Sequence, residues 1–224
     1  MTARQIPFDF EHRPALGGED FLIAPSNGEA ISWVERWPDW PGPVLVICGP
    51  EGAGKTHLAH VFQAQSAAKT VTSDALARDN ADGVLAGAKA LVLEDVETFI
   101  EQGLAEEVLH LYNLCKEEGL KVLMTATQPP ARWGIVLKDL SSRLNTAPVA
   151  EISPPDDALL TALIVKQFAD RQLHIDADVL SYMLARMERS FGGVRRLITA
   201  VDDEAMVQKR AITVPLVRQV LEKL

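Results

Sequence analysis

Between residues 44 and 152 the chain repeats one pattern: a short apolar run, then a longer stretch with helical spacing. Val44–Cys48 (VLVIC), Ala90–Leu93 (ALVL) and Lys121–Ala126 (KVLMTA) are the clearest runs. A run with no polar alternate positions belongs on a strand covered on both faces, as in a parallel sheet. Lys69–Thr72 and Val149–Ile152 read as two further strands. A helix is predicted after the first strand, through about Gln65. Another spans Leu104–Glu118, where Leu104, Val108, Leu111, Tyr112 and Cys115 recur every three or four residues. Strands alternating with helices predict an α/β domain with a mainly parallel sheet.

The SPPDD stretch at Ser153–Asp157 ends this alternation. Leu159, Leu160, Leu163, Ile164, Gln167 and Phe168 then keep helical spacing, as do Val179, Leu180, Met183, Leu184 and Met187. Val194, Leu197, Ile198 and Val201 mark a third helix. A last one starts at Thr213, a favourable N-cap, with Pro215 in its first turn. The chain therefore divides into an N-terminal segment and linker (1–20), an α/β domain (21–153) and a helical domain (154–224). The N-terminal segment carries Ile6, Phe8 and Phe10 at alternate positions around Pro7. It reads either as a strand tucked onto the body or as a peptide for another protein. Trp33, Trp37 and Trp40 read either as a partner surface or as packing beneath the nucleotide-binding segment.

Composition narrows the function class. With 224 residues, 47% hydrophobic and 24% charged, the chain can bury a sizeable core. Its formal charge of −9 argues against a surface that tracks a phosphate backbone, which needs clustered Lys and Arg. Cys48 and Cys115 lie in apolar patterns without metal-ligand spacing and read as reduced core thiols. With no apolar leader or membrane-length run, a cytoplasmic protein is expected.

GPEGAGKT, Gly49–Thr56, matches G-x-x-x-x-G-K-[ST] between an apolar strand and a helix. Gly49, Gly52 and Gly54 let backbone N–H groups close around phosphate oxygens, and the helix N-terminus adds its positive end. Lys55 would reach the terminal phosphates and Thr56 would hold Mg²⁺. The motif implies binding of a nucleoside di- or triphosphate. Glu94 and Asp95 end the third strand, at the edge where open α/β sheets bind ligands. One carboxylate there would position Mg²⁺ and the other orient the attacking water; the alternative is a solvated acidic loop. Thr127, in TATQ at the end of the next strand, reads as a γ-phosphate sensor or as a turn residue. His57 reads as structural.

The order of phosphate loop, acidic pair, polar strand end and helical tail resembles the AAA+ family, and within it the DnaA-related proteins of the Hda type. FLIAPSN (Phe21–Asn27) resembles their adenine cradle, pointing to Phe21 and Asn27. DLSSRL (Asp139–Leu144) resembles their arginine-finger box, pointing to Arg143, and GGVRRL (Gly192–Leu197) their second sensor, pointing to Arg195. The resemblance runs from Phe21 to Leu224 and implies an AAA+ P-loop domain with a parallel sheet flanked by helices, plus a small all-helical lid. It further implies that Gln5, Ile6, Pro7, Phe8 and Phe10, within QIPFDF, form a peptide that docks on the replication sliding clamp.

This sequence departs from the family in four places. Glu94 stands where Asp is usual, and Thr127 where the initiator's first sensor is an acid. Only the seventeen residues Ser73–Lys89 separate the second and third strands, short for the initiator's single-strand-gripping insertion. No helix-turn-helix domain is expected after the lid. The resemblance therefore implies ADP or ATP with Mg²⁺, weak intrinsic hydrolysis, and a role in promoting hydrolysis of DnaA-bound ATP together with the DNA-loaded clamp. Its partners would be DnaA and the DNA polymerase III clamp (the beta subunit), without sequence-specific DNA contact; self-association into a homo-oligomer stays open. The alternatives are an ATP-hydrolysing protein like the helicase loaders and, less in keeping with the long helical tail, a P-loop kinase.

Overall fold

The computed structural model describes residues 12–13 and 21–224. The proposed clamp peptide, Gln5–Phe10, lies outside them. In chain order the elements are β1 (His12–Arg13), β2 (Phe21–Leu22), α1 (Gly28–Glu35), β3 (Val44–Cys48), α2 (Lys55–Ser66), β4 (Lys69–Thr70), α3 (Ser73–Leu85), β5 (Ala90–Leu93), α4 (Val96–Glu101) and α5 (Ala105–Glu118). Then come β6 (Lys121–Ala126), a 3₁₀ turn (Pro130–Arg132), α6 (Lys138–Asn145), β7 (Val149–Glu151), α7 (Asp157–Asp170), α8 (Ala177–Leu184), α9 (Phe191–Gln208) and α10 (Val214–Leu221).

Two compact units result. The larger holds 27–153, built on a five-stranded, wholly parallel sheet in the order β4-β5-β6-β3-β7. All residues of β3 and β5 are buried, as two-sided covering requires. In register, Val44 pairs with Val122 and Cys48 with Ala126. The core on one side joins Val46, Leu91, Leu93, Val122 and Met124 to Leu111 and Cys115 of α5 and Leu140 and Leu144 of α6. β4 stops at Thr70 because Thr72 turns to cap α3, its hydroxyl accepting from the Ala75 N–H at 3.2 Å.

Trp40 is buried and stacks on Phe62 of α2 with ring centroids 5.3 Å apart, while Trp37 meets the same ring edge-on at 6.2 Å. The indole N–H of Trp40 donates to the Trp33 carbonyl at 2.7 Å. These rings brace the helix that follows the phosphate loop.

The smaller unit holds 12–13, 21–26 and 154–224. Its core is drawn from all four helices: Leu160, Ile164 and Phe168 (α7), Val179 and Met183 (α8), Val194, Leu197, Ile198 and Val201 (α9), and Leu216, Val217 and Val220 (α10). The two-residue strands β1 and β2 pair antiparallel, and β2 lies against α7. Thr213 is the N-cap of α10 with Pro215 in the first turn, as its sequence predicts. Among the described residues no helix is long and apolar enough to cross a membrane.

Candidate functional site

The phosphate loop hangs between neighbouring strands. The Gly49 N–H donates to the Ala126 carbonyl at 3.2 Å, and the Ile152 N–H to the Cys48 carbonyl at 2.7 Å. A Cβ on Gly49 would sit 2.3 Å from the Ile152 carbonyl oxygen, so only glycine fits beside the β7 end. Gly52 and Gly54 take left-handed φ of 72° and 99°, which side chains resist. The N-cap of α2 is Gly54, whose position offers no side-chain acceptor. The first-turn amides of α2 thus lack a capping oxygen, the arrangement that receives an anion. Lys55 is buried, and its ammonium donates to the Gly49 and Pro50 carbonyls at 2.7 and 3.1 Å. A cation held, among the described residues, by neutral carbonyls of its own loop is available to phosphate oxygens. Thr56, in the first turn of α2, is exposed.

Glu94 follows β5 and is half-buried; Asp95 is exposed, with φ 50° and ψ 54° at the start of α4. Its N–H donates to the Thr125 hydroxyl at 3.1 Å, tying the acidic turn to β6. Thr56 and Glu94 carry only oxygen donors, the chemistry that would suit Mg²⁺ were phosphate oxygens and water to complete the shell. Among the described residues no group of three or more His, Cys, Asp or Glu side chains could hold a metal alone. The donors fit an ion that arrives with phosphate.

Thr127 lies one residue past β6, beside Gly49, and is exposed. Its groups are already engaged. Glu97, in the first turn of α4, accepts from the Thr127 N–H at 2.6 Å, the Thr127 hydroxyl at 2.7 Å and the Gln128 N–H at 3.0 Å. Sequence reasoning missed Glu97, whose one visible signal was an acid two positions beyond the acidic pair.

Arg143 sits in the last turn of α6, half-buried. One guanidinium N–H donates to the Asn113 side-chain oxygen, and the group lies over the Tyr112 ring at 5.5 Å. Both partners belong to α5; among the described residues no carboxylate pairs with it. In the other unit, Arg195 is exposed at the start of the second turn of α9, two residues after Gly193. Ser190 caps that helix by accepting from the Gly193 N–H at 2.9 Å. Asn27 is buried at the N-cap of α1 and Phe21 lies in β2. His57 sits half-buried on α2. Both cysteines are buried free thiols; burial, with nearby carboxylates, pushes Cys48 up to about 11 and Cys115 to about 12. Neither is a nucleophile near neutral pH.

Residues 156–221 match the family described as the lid domain of Hda. The chromosomal replication initiator DnaA of Cutibacterium acnes is 24% identical over 94% of this chain, which spans about half (47%) of that relative's length. Domain III of the Thermotoga maritima initiator DnaA superposes with a TM-score of 0.77 at 19% identity, covering 95% of this chain and 98% of that one. AMPPCP-bound DnaA from Aquifex aeolicus gives 0.67 at 18% identity, over 81% and 63% of the two chains. The RuvB Holliday-junction branch-migration motor of Thermotoga maritima gives 0.64 at 19%, over 82% and 62%.

Proposed function

We propose, for a chain that is a DnaA-related AAA+ protein of the Hda type, that it binds adenine nucleotide and acts on a partner's nucleotide rather than chiefly on its own. Gly49, Gly52, Gly54, Lys55 and Thr56 would hold ADP or ATP, with Mg²⁺ shared by Thr56 and Glu94. Phe21, Asn27 and Arg195 are assigned to the nucleotide by family resemblance. The partner is DnaA carrying ATP, and the meeting point is the DNA-loaded sliding clamp, gripped by Gln5, Ile6, Pro7, Phe8 and Phe10. This chemistry belongs to the cytoplasm, in keeping with two unpaired thiols.

Arg143 carries the reading. Its guanidinium rests on one neutral oxygen and one aromatic face, so leaving them strands no buried counter-charge. Inserted beside a neighbour's γ-phosphate, the planar fork would offset charge developing on the transferred phosphoryl group. Glu94 and Asp95 would serve any turnover in the chain's own site, which is expected to be slow because Thr127 is already bonded to Glu97. The test is release of phosphate from DnaA-bound ATP with and without this protein and DNA-loaded clamp. Stimulation that needs both supports the reading. Fast turnover by the chain alone would instead favour a loader-like ATPase.

A further inference from the structure

The contact at the end of β6 reaches beyond that reading. Thr127 and Gln128 present two N–H groups and a hydroxyl beside the first residue of the phosphate loop, since Ala126 pairs with Cys48 in register and accepts from the Gly49 N–H at 3.2 Å. Donors so placed would be free to meet a terminal phosphate. All three converge instead on one oxygen of Glu97, at 2.6, 2.7 and 3.0 Å. Hydrogen bonds to an ionised acceptor are about twice as strong as neutral ones. Glu97 is anchored independently of the loop, because α4 begins at the turn tied to Thr125.

We infer that Glu97 is a specificity residue that stands where a terminal phosphate would be read: its carboxylate takes the donors of Thr127 and Gln128 and sets its own negative charge against an incoming γ-phosphate. The β-phosphate, held by the loop amides and Lys55, is not contested. Thr127 follows Ala126, which pairs with Cys48, so the carboxylate that Thr127 binds lies beside the first residue of the loop. The site thus discriminates between nucleoside di- and triphosphate by a side chain of α4 rather than by the loop. This rests on nucleotide binding at 49–56, and not on any action upon a partner.

The test compares Kd for ADP and for a non-hydrolysable triphosphate, AMPPCP with Mg²⁺, in wild type, Glu97→Gln, Thr127→Val and the double variant. Glutamine keeps an oxygen for the same donors and removes the charge, so melting temperature should hold. Affinity for AMPPCP should rise about tenfold in Glu97→Gln, with ADP within about twofold, the repulsion of two charges at short range being removed. Thr127→Val alone should leave AMPPCP affinity within about twofold, since its hydroxyl is already engaged. Added to Glu97→Gln, the same change should cost most of the gain. An unchanged AMPPCP-to-ADP ratio in Glu97→Gln overturns the inference, as does a Thr127→Val variant that loses AMPPCP on its own. Failure of wild type to bind either nucleotide would remove the site itself, a distinct result readable from the ADP arm. Hydrolysis of DnaA-bound ATP enters none of these measurements.

Discussion

Two cations of the α/β unit, Lys55 and Arg143, rest on neutral groups, and the surroundings assign them opposite tasks. Lys55 is buried at 8% exposure and bonded to carbonyls of its own loop, five and six residues back in the chain. Its position is set by a local turn that glycines make, so its reach is fixed and its ligand must come to it. Arg143 is half-buried and held by side chains of another helix, thirty residues away for Asn113. It can turn away without breaking any backbone contact. A receiving site is made of backbone; a donated group hangs on side chains.

The sharpest break in this comparison is Arg143→Ala. If the guanidinium works in a neighbour's site, stimulated hydrolysis of DnaA-bound ATP should fall by ~10³ or more, with this chain's own ADP affinity unchanged. Arg143→Lys should restore little, because an ammonium lacks the planar fork. Single-turnover hydrolysis beside ADP calorimetry checks both halves. Full stimulation by the alanine variant would return the catalytic arginine to the partner.

Lys55→Ala should do the reverse. Removing the Lys55 ammonium seated at the loop should weaken ADP and ATP binding by about 2–5 kcal/mol, roughly 30-fold or more. Calorimetry on the folded variant measures it; unaltered affinity would show that the loop amides bind phosphate unaided.

The same distinction explains what could be read from the sequence. β3, β5 and β6 were legible to the residue because strands covered on both faces have no polar alternation to blur their ends. The loop was legible because glycine at 49, 52 and 54 is demanded by backbone geometry. The edge strand β4 came out shorter than predicted: Lys69 and Thr70 are exposed, and Thr72 serves as a cap instead. Glu97 was not legible, for its partners lie thirty residues on and no spacing rule links a helix start to a distant strand end. Asn113 escaped for the same reason. Trp37 and Trp40 were ambiguous until Phe62 appeared beneath them.

Gly49→Ala separates backbone fit from charge. The new methyl would lie 2.3 Å from the Ile152 carbonyl oxygen, and backbone on both sides has little room to give. Overpacking of this kind costs about 1–3 kcal/mol, so thermal unfolding of the α/β unit should come earlier. Gly192→Ala is the control in the other unit, where the added methyl meets the far end of the Arg196 side chain at 3.3 Å and the Ser190 hydroxyl at an ordinary 3.9 Å, and no backbone. Equal losses in the two variants would show that the close approach at Gly49 is not what the strand ends require.

The smallest expected effect concerns how Arg143 is held. Asn113 offers it a neutral oxygen where an aspartate would fit almost as well. Asn113→Asp should convert the resting contact into an ion pair on a partly buried face. Such pairing, a charge-assisted bond, should hold the guanidinium on α5 and slow stimulated hydrolysis about tenfold, while leaving the fold as stable or slightly more so. Asn113→Ala removes one hydrogen bond to a charged group, worth about 1.5–3 kcal/mol at most. Tyr112 still holds the guanidinium over its ring, so departure becomes only slightly easier and the rate should stay level or rise by no more than about threefold. The measurement is the stimulated rate of each variant beside its melting temperature. Stimulation by Asn113→Asp at the wild-type rate would mean that Arg143 does not leave α5 to act, and the contrast with Lys55 would collapse into two structural cations.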